Sequence, residues 1–298
     1  MLSKKVLFLY SKLKKLFEAD GNEKSFLVFF RLSISSVAII ELASLIRDLP
    51  LFFSSSRTLI PQELIYIESG YFRYLHPLYQ FVEKNGLSEI FYPTVVTIYI
   101  IALILLLTGL FTRYAAGTAL LLQLIIFRSF TPFNYGYDYF LTMSLFYCVI
   151  FPVGYFFSID QKVFKLSLRC DFNYRRVLQI HLAMAYCFSG IAKGLDAGWW
   201  NGNSVWKALA SADNSYYAFP SEILIVIGIG TVLLEFLYPF LVLKKVTRKY
   251  AITAIILMHA GIAITMNLYA FSIMMIVWNI AAYGRLTTKK IITHAKTA

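Results

Sequence analysis

Apolar stretches long enough to cross a lipid bilayer recur through this chain, and that recurrence restricts its fold more than any other feature. They cover residues 26–46, 93–111, 115–130, 138–157, 177–195, 222–243, 250–266 and 269–284. A bilayer core of about 30 Å takes roughly 20 apolar residues in a helix, and a bundle tolerates shorter ones. Only 15% of the 298 residues are charged and 59% are hydrophobic, whereas a soluble domain carries roughly 25% charged residues. So few charges cannot cover a water-facing surface. The sequence predicts an all-α polytopic membrane bundle of about eight transmembrane helices. The expected organisation is an interfacial helix over 1–24, a transmembrane domain over 25–284 and a tail over 285–298.

The net charge of +12 is not a nucleic-acid signal, because the basic residues border the apolar stretches. Lys4, Lys5, Lys12, Lys14, Lys15 and Lys24 precede the first stretch. Lys162, Lys165, Arg169, Arg175 and Arg176 form a second group, Lys244, Lys245, Arg248 and Lys249 a third, and Arg285, Lys289, Lys290 and Lys296 a fourth. With the N-terminus inside, these groups and Arg113 place twenty basic residues in the cytoplasm. Seven lie outside: Arg47, Arg57, Arg73, Lys84, Arg128, Lys193 and Lys207. The positive-inside rule favours this orientation, with both termini cytoplasmic and the plasma (inner) membrane as the expected location. Residues 1–24 lack the h-region and cleavage site of a signal peptide. Their apolar residues, Leu2, Val6, Leu9, Leu13, Leu16 and Phe17, instead recur at helical spacing among lysines, the pattern of a helix lying on the membrane surface. The turn between the last two spans is expected at Met266-Asn267-Leu268-Tyr269, and a short helix over 77–85 in the long aromatic loop 47–92.

Charged groups inside a span are costly and default to functional candidates. Here they are Arg31, Glu41, Arg128, Asp138, His181, Lys193, Glu235 and His259. In the assigned directions Arg128 and Asp138 flank an outer turn, Lys193 ends the fifth span on the outside, and Glu235 and His259 lie near mid-membrane. His181 is 12 residues before Lys193, about 18 Å away along a helix axis, so the two cannot act on one atom. Arg31 and Arg113 are expected to snorkel to the inner headgroups. Glu235 is a proton-relay candidate or a buried partner for Lys193 or Arg128. Cys148, Cys170 and Cys187 imply no disulfide framework. There is no metal-ligand spacing, phosphate loop, dinucleotide fingerprint or nucleophile elbow.

The most informative segment is 179–208, where an apolar helix ends in Lys193-Gly194-Leu195-Asp196-Ala197-Gly198-Trp199-Trp200-Asn201-Gly202. Its Lys-x-Leu-Asp-x-x-Trp-x-x-Gly run resembles the signature of the HTTM (horizontally transferred transmembrane) domain superfamily. That group includes the membrane domain of vitamin K-dependent gamma-carboxylase and a membrane protein that matures the sporulation-delaying peptide toxin. Weaker likenesses are Gly109-Leu110-Phe111-Thr112-Arg113, Gly136-Tyr137-Asp138-Tyr139, Phe151-Pro152-Val153-Gly154 and Ser158-Ile159-Asp160. The resemblance covers about residues 25–284. It implies a base acting on a reduced naphthoquinone, and a desolvated lysine can be that base. The carboxylases have two adjacent lysines before Leu-Asp; Lys193 matches the first and Gly194 stands at the second. No counterpart of their large extra-membrane domain is expected after the last span.

The expected protein is therefore a membrane enzyme or peptide-maturation factor with an outward-facing cavity. Its substrate would be a secreted or membrane peptide of hydrophobic character, or a quinol-like molecule. Lys193 is the expected base, with Asp196 and His259 as further catalytic candidates. Asp138, Arg128, Trp199, Trp200, Tyr137 and Glu235 are candidates for substrate binding. Alternatively Lys193 and Asp196 simply pair at a helix end and the tryptophans anchor at the interface. A non-enzymatic binding or immunity protein, and a small-molecule transporter, are the other classes compatible with the pattern.

Overall fold

The structure is a computed structural model that describes residues 11–12, 14–19, 21–53, 59–61, 63–64, 67, 70–129, 131–211 and 219–284. Much of the expected interfacial helix over 1–24 and the whole tail over 285–298 lie outside the described residues. Among them the chain is helical, with one isolated antiparallel bridge between Glu18 and Phe172 and no strand. It divides into two compact units, residues 27–168 and residues 169–298 with 1–26.

The first unit holds most of α1 (Glu23–Ser44), then α2 (Pro50–Phe53), α3 (His76–Lys84), α4 (Ser88–Thr108), α5 (Thr112–Ser129), α6 (Gly136–Ile150) and α7 (Ile159–Val163). α5 packs on α4 and on α6. α4 stops at Gly109, whose left-handed φ of 73° lets its N–H reach the carbonyls of Leu105 and Leu106. A buried polar knot follows. Arg31 is fully buried and donates to the carbonyls of Leu106 (3.1 Å), Leu107 (2.6 Å) and Phe157 (2.5 Å). Asp160 caps α5, accepting from the N–H groups of Phe111 (2.7 Å) and Thr112 (2.8 Å) and from the Thr112 hydroxyl (2.7 Å). Its own N–H returns to the Gly109 carbonyl (2.8 Å). Arg31 therefore does not snorkel: carbonyls left free at the end of α4 and in the 151–158 loop supply the acceptors that headgroups would have offered.

The second unit contains α8 (Tyr174–Leu195), α9 (Ala197–Trp200), α10 (Asn203–Ala210), α11 (Ser221–Leu243), α12 (Lys245–Met266) and α13 (Tyr269–Tyr283). α8 packs on α11 and α13, and α12 packs on both α11 and α13. Gly190 brings α8 against α11: a Cβ there would overlap the backbone of Phe236. Inside α11, Pro239 removes the N–H that would bond the Glu235 carbonyl. α12 and α13 are separated by Asn267, in the left-handed region at φ 56°. At the other end of α8, Arg175 donates to the carbonyls of Ala282 (2.9 Å) and Gly284 (2.5 Å), satisfying the end of α13.

Among the described residues, four helices, α1, α4, α11 and α12, are by length and composition able to cross a membrane. α13 and the 112–127 part of α5 are apolar but shorter. α6 has 15 residues, about 22 Å of helix. α8 has 22 residues and is more polar.

Candidate functional site

The polar residues of the second unit gather where α8 meets α11, α12 and α13. Seven residues separate Tyr186 from Lys193, and Gly190 lies between them, so all three share one face of α8. Close approach at Gly190 carries Lys193 onto α11. There its Nζ stands 2.6 Å from both carboxylate oxygens of Glu235. Glu235 is buried, its side chain 5% exposed, whereas that of Lys193 is 23% exposed. The ammonium also lies 5.0 Å from the centre of the Trp199 ring, within cation–π range. A charged pair so placed is costly to desolvate and adds little stability over apolar side chains of the same volume.

A chain of neutral hydrogen bonds runs beside this pair. The Tyr238 hydroxyl donates to Asn279 Oδ1 (2.8 Å), and Asn279 Nδ2 donates to the Tyr186 hydroxyl (2.9 Å). The Tyr186 hydroxyl lies 2.9 Å from His259 Nε2. The other ring nitrogen of His259, Nδ1, is buried and has no hydrogen-bond partner among the described residues. Phe271 covers the imidazole edge-on at 5.5 Å. Lys193 is within electrostatic reach of His259, as Glu235 is of Tyr186.

Asp196 stands at the junction of α8 and α9. It is the N-cap of α9, taking the Gly198 N–H (2.9 Å) and the Ser204 hydroxyl (2.8 Å). These donors, the Gly198 amide first, hold its carboxyl below the ordinary 3.8. These capping donors lie two and eight residues onward in the chain. Trp200 donates its indole N–H to the Gly194 carbonyl (2.8 Å), pinning α9 to the end of α8. A Cβ at Gly194 would meet Val232 Cγ1 at 3.5 Å, an ordinary contact. His181 lies apart from the cluster, edge-on to Trp278 at 5.1 Å.

Asp138 and Tyr137 belong to the first unit. Asp138 closes the start of α6 by accepting the Tyr135 N–H (3.2 Å), and buried Tyr137 stacks on Tyr135 at 6.1 Å. Both line a cavity of about 120 Å³, together with Glu41, Tyr99 and Gln123. Arg128 lies in the last turn of α5; its side chain is outside those described. No group of three or more potential metal ligands occurs among the described residues.

Comparison with protein-family models, with characterised proteins and with solved structures finds no match to this chain. The fold and the site define an all-helical protein with membrane-compatible helices and a buried polar cluster. A search restricted to charged groups passes over Tyr186, Tyr238 and Asn279. One signal for Asn279 exists in the sequence: it is a lone amide in an otherwise apolar run, the residue type that bonds across helices.

Proposed function

We propose that this is a plasma (inner) membrane protein of about eight spans with cytoplasmic termini, a membrane enzyme or peptide-maturation factor working at the Lys193 cluster. Its substrate class is a quinol-like lipid-soluble molecule or a hydrophobic peptide. The observation that carries the reading is Lys193, partly exposed and clamped on buried Glu235 beside Trp199. A bundle gains nothing in stability from this pair that leucines would not supply, so its cost points to a proton-handling role.

At rest the proton sits on Lys193, and Glu235 is its counter-ion. Lys193 becomes a base only when Glu235 takes that proton, and the 2.6 Å contacts make the transfer a short one. His259 Nδ1, buried and unpartnered among the described residues, is available to bond a polar substrate group. A quinol-type molecule would supply an ionisable hydroxyl. Trp199 offers an aromatic face, and Lys193 a charge, to hold such a ring. Asp196 contributes by fixing α9, and with it Trp199, against α8.

The test is turnover of a reduced naphthoquinone by the protein in liposomes, followed optically beside empty vesicles. Turnover is expected for the unaltered chain and lost in Lys193→Met and Glu235→Gln variants assayed well below their own melting temperatures. Turnover equal to empty vesicles removes the quinol reading. A fully active Lys193→Met removes the assignment of the base.

A further inference from the structure

In the second unit α8, α11, α12 and α13 bring one end each together, away from Lys193. α8 and α12 begin there, and α11 and α13 finish there. Lys244 alone joins Leu243 of α11 to Lys245 of α12. Buried Arg175, at the start of α8, reaches the carbonyls of Ala282 and Gly284 at the end of α13.

Three guanidiniums converge on this end. Arg175 and Arg176 occupy the first turn of α8, and Arg248 the first turn of α12. All three lie within electrostatic reach of the Tyr283 hydroxyl, and Arg248 stands 5.6 Å from the centre of its ring. Acidic residues favour the first turn of a helix, where the partial charge is positive, yet neither α8 nor α12 has one there. Other compensation is sparse. Glu23 takes the backbone N–H of Arg175 (3.3 Å), while Arg176 and Arg248 form no ion pair among the described residues. Arg248 donates to the carbonyls of Val242 (2.7 Å) and Leu243 (3.3 Å), which are neutral. Onward in the chain, residues 285–298 add Arg285, Lys289, Lys290 and Lys296 and no Asp or Glu.

Arg176 supplies the second, independent indication. Its Nη1 donates to Gln179 Oε1 (2.7 Å), and Gln179 is held in turn on the Ala282 carbonyl (2.6 Å). Its Nε is buried without a hydrogen-bond partner, and its Nη2 makes no hydrogen bond among the described residues. The Nε–Nη2 edge is thus unmatched, and two parallel N–H groups on one guanidinium edge are what a phosphate accepts in bidentate fashion. α12 adds backbone donors at the same end, since its N-cap Lys244 provides no side-chain acceptor, and the N–H groups of a helix start favour an anion.

We propose that this end of the second unit binds the phosphate of an anionic phospholipid headgroup. This inference is independent of the reading given for Lys193. α11 and α12 are long and apolar enough to cross a membrane, which sets their joined ends at headgroup depth. Basic pockets between helices at that depth take anionic headgroups. A choline head would bring its own cation up to the exposed Lys244 and Lys245, whereas a glycerol head brings none.

Native mass spectrometry of the full chain in detergent micelles, titrated with phosphatidylglycerol or with phosphatidylcholine, tests the site. One tightly bound phosphatidylglycerol is expected, with phosphatidylcholine at least tenfold weaker. Arg176→Gln is expected to weaken phosphatidylglycerol at least tenfold. Lys207→Gln, at an exposed position beyond the other end of α8, should leave it unchanged. Equal affinity for the two lipids, an unaffected Arg176→Gln variant, an equal loss in Lys207→Gln, or displacement of the lipid by inorganic phosphate in tenfold excess overturns the proposal. The comparison of the two lipids uses the unaltered protein, so it stands even where a variant does not fold.

Discussion

Lys193 Nζ lies 2.6 Å from each oxygen of Glu235, 42 residues onward and on the neighbouring helix. The pair joins the end of α8 to the middle of α11. Removing one member strands the other charge. Lys193→Met or Glu235→Leu alone is expected to cost about 3–5 kcal/mol. The double variant Lys193→Met/Glu235→Leu should recover most of that stability without recovering function. Thermal unfolding of all four proteins in one detergent forms the double-mutant cycle that checks this.

The Tyr238–Asn279–Tyr186–His259 chain predicts a graded response. Tyr186→Phe leaves Asn279 Nδ2 and His259 Nε2 without their shared partner, at about 1–3 kcal/mol. Asn279→Leu removes contacts to Tyr186, Tyr238 and the Met275 carbonyl together, so its loss should be the larger. Chemical denaturation with tryptophan fluorescence ranks the two.

Arg31 holds carbonyls from two separate segments, the end of α4 and Phe157. Arg31→Lys should fail to restore the melting temperature lost in Arg31→Met, because a single ammonium cannot reproduce the planar fork. A lysine variant that melts with the unaltered protein would refute the bridging role.

Gly190→Ala should lower stability by about 1–3 kcal/mol through overpacking against Phe236. It should also weaken the Lys193–Glu235 pair, since Glu235 adjoins the displaced residue. Gly230→Ala, which meets open space, is the control and should be neutral or mildly stabilising. Melting curves of the two variants make the comparison.

Asp196 gives a pH prediction. Its folded carboxyl titrates below the ordinary 3.8, first because of the Gly198 amide and then because of the Ser204 hydroxyl. A depressed folded value stabilises above the unfolded value and is lost as pH falls through the folded one. The stability gap between the unaltered protein and Asp196→Ala should thus be constant above about pH 5 and shrink below pH 3.8. Unfolding midpoints across that range measure it.

The amino-acid sequence by itself determined the helical class and its apolar helices, because composition and apolar run length follow from residue identity alone. It also marked Lys193 and Glu235 as candidates, since a charge in an apolar run is visible in one dimension. It left Lys193 with two partners to choose from, Asp196 and Glu235. The Gly190 contact with Phe236 decided for Glu235, because only the packed helices set which side chains lie within hydrogen-bond reach. The same holds for Arg31, whose acceptors are backbone carbonyls and carry no sequence signature. The weak runs around Gly109, Gly154 and Asp160 looked like separate fragments in the sequence. Folded, they enclose one buried arginine, since hydrogen bonding depends on distance in space and not on separation along the chain.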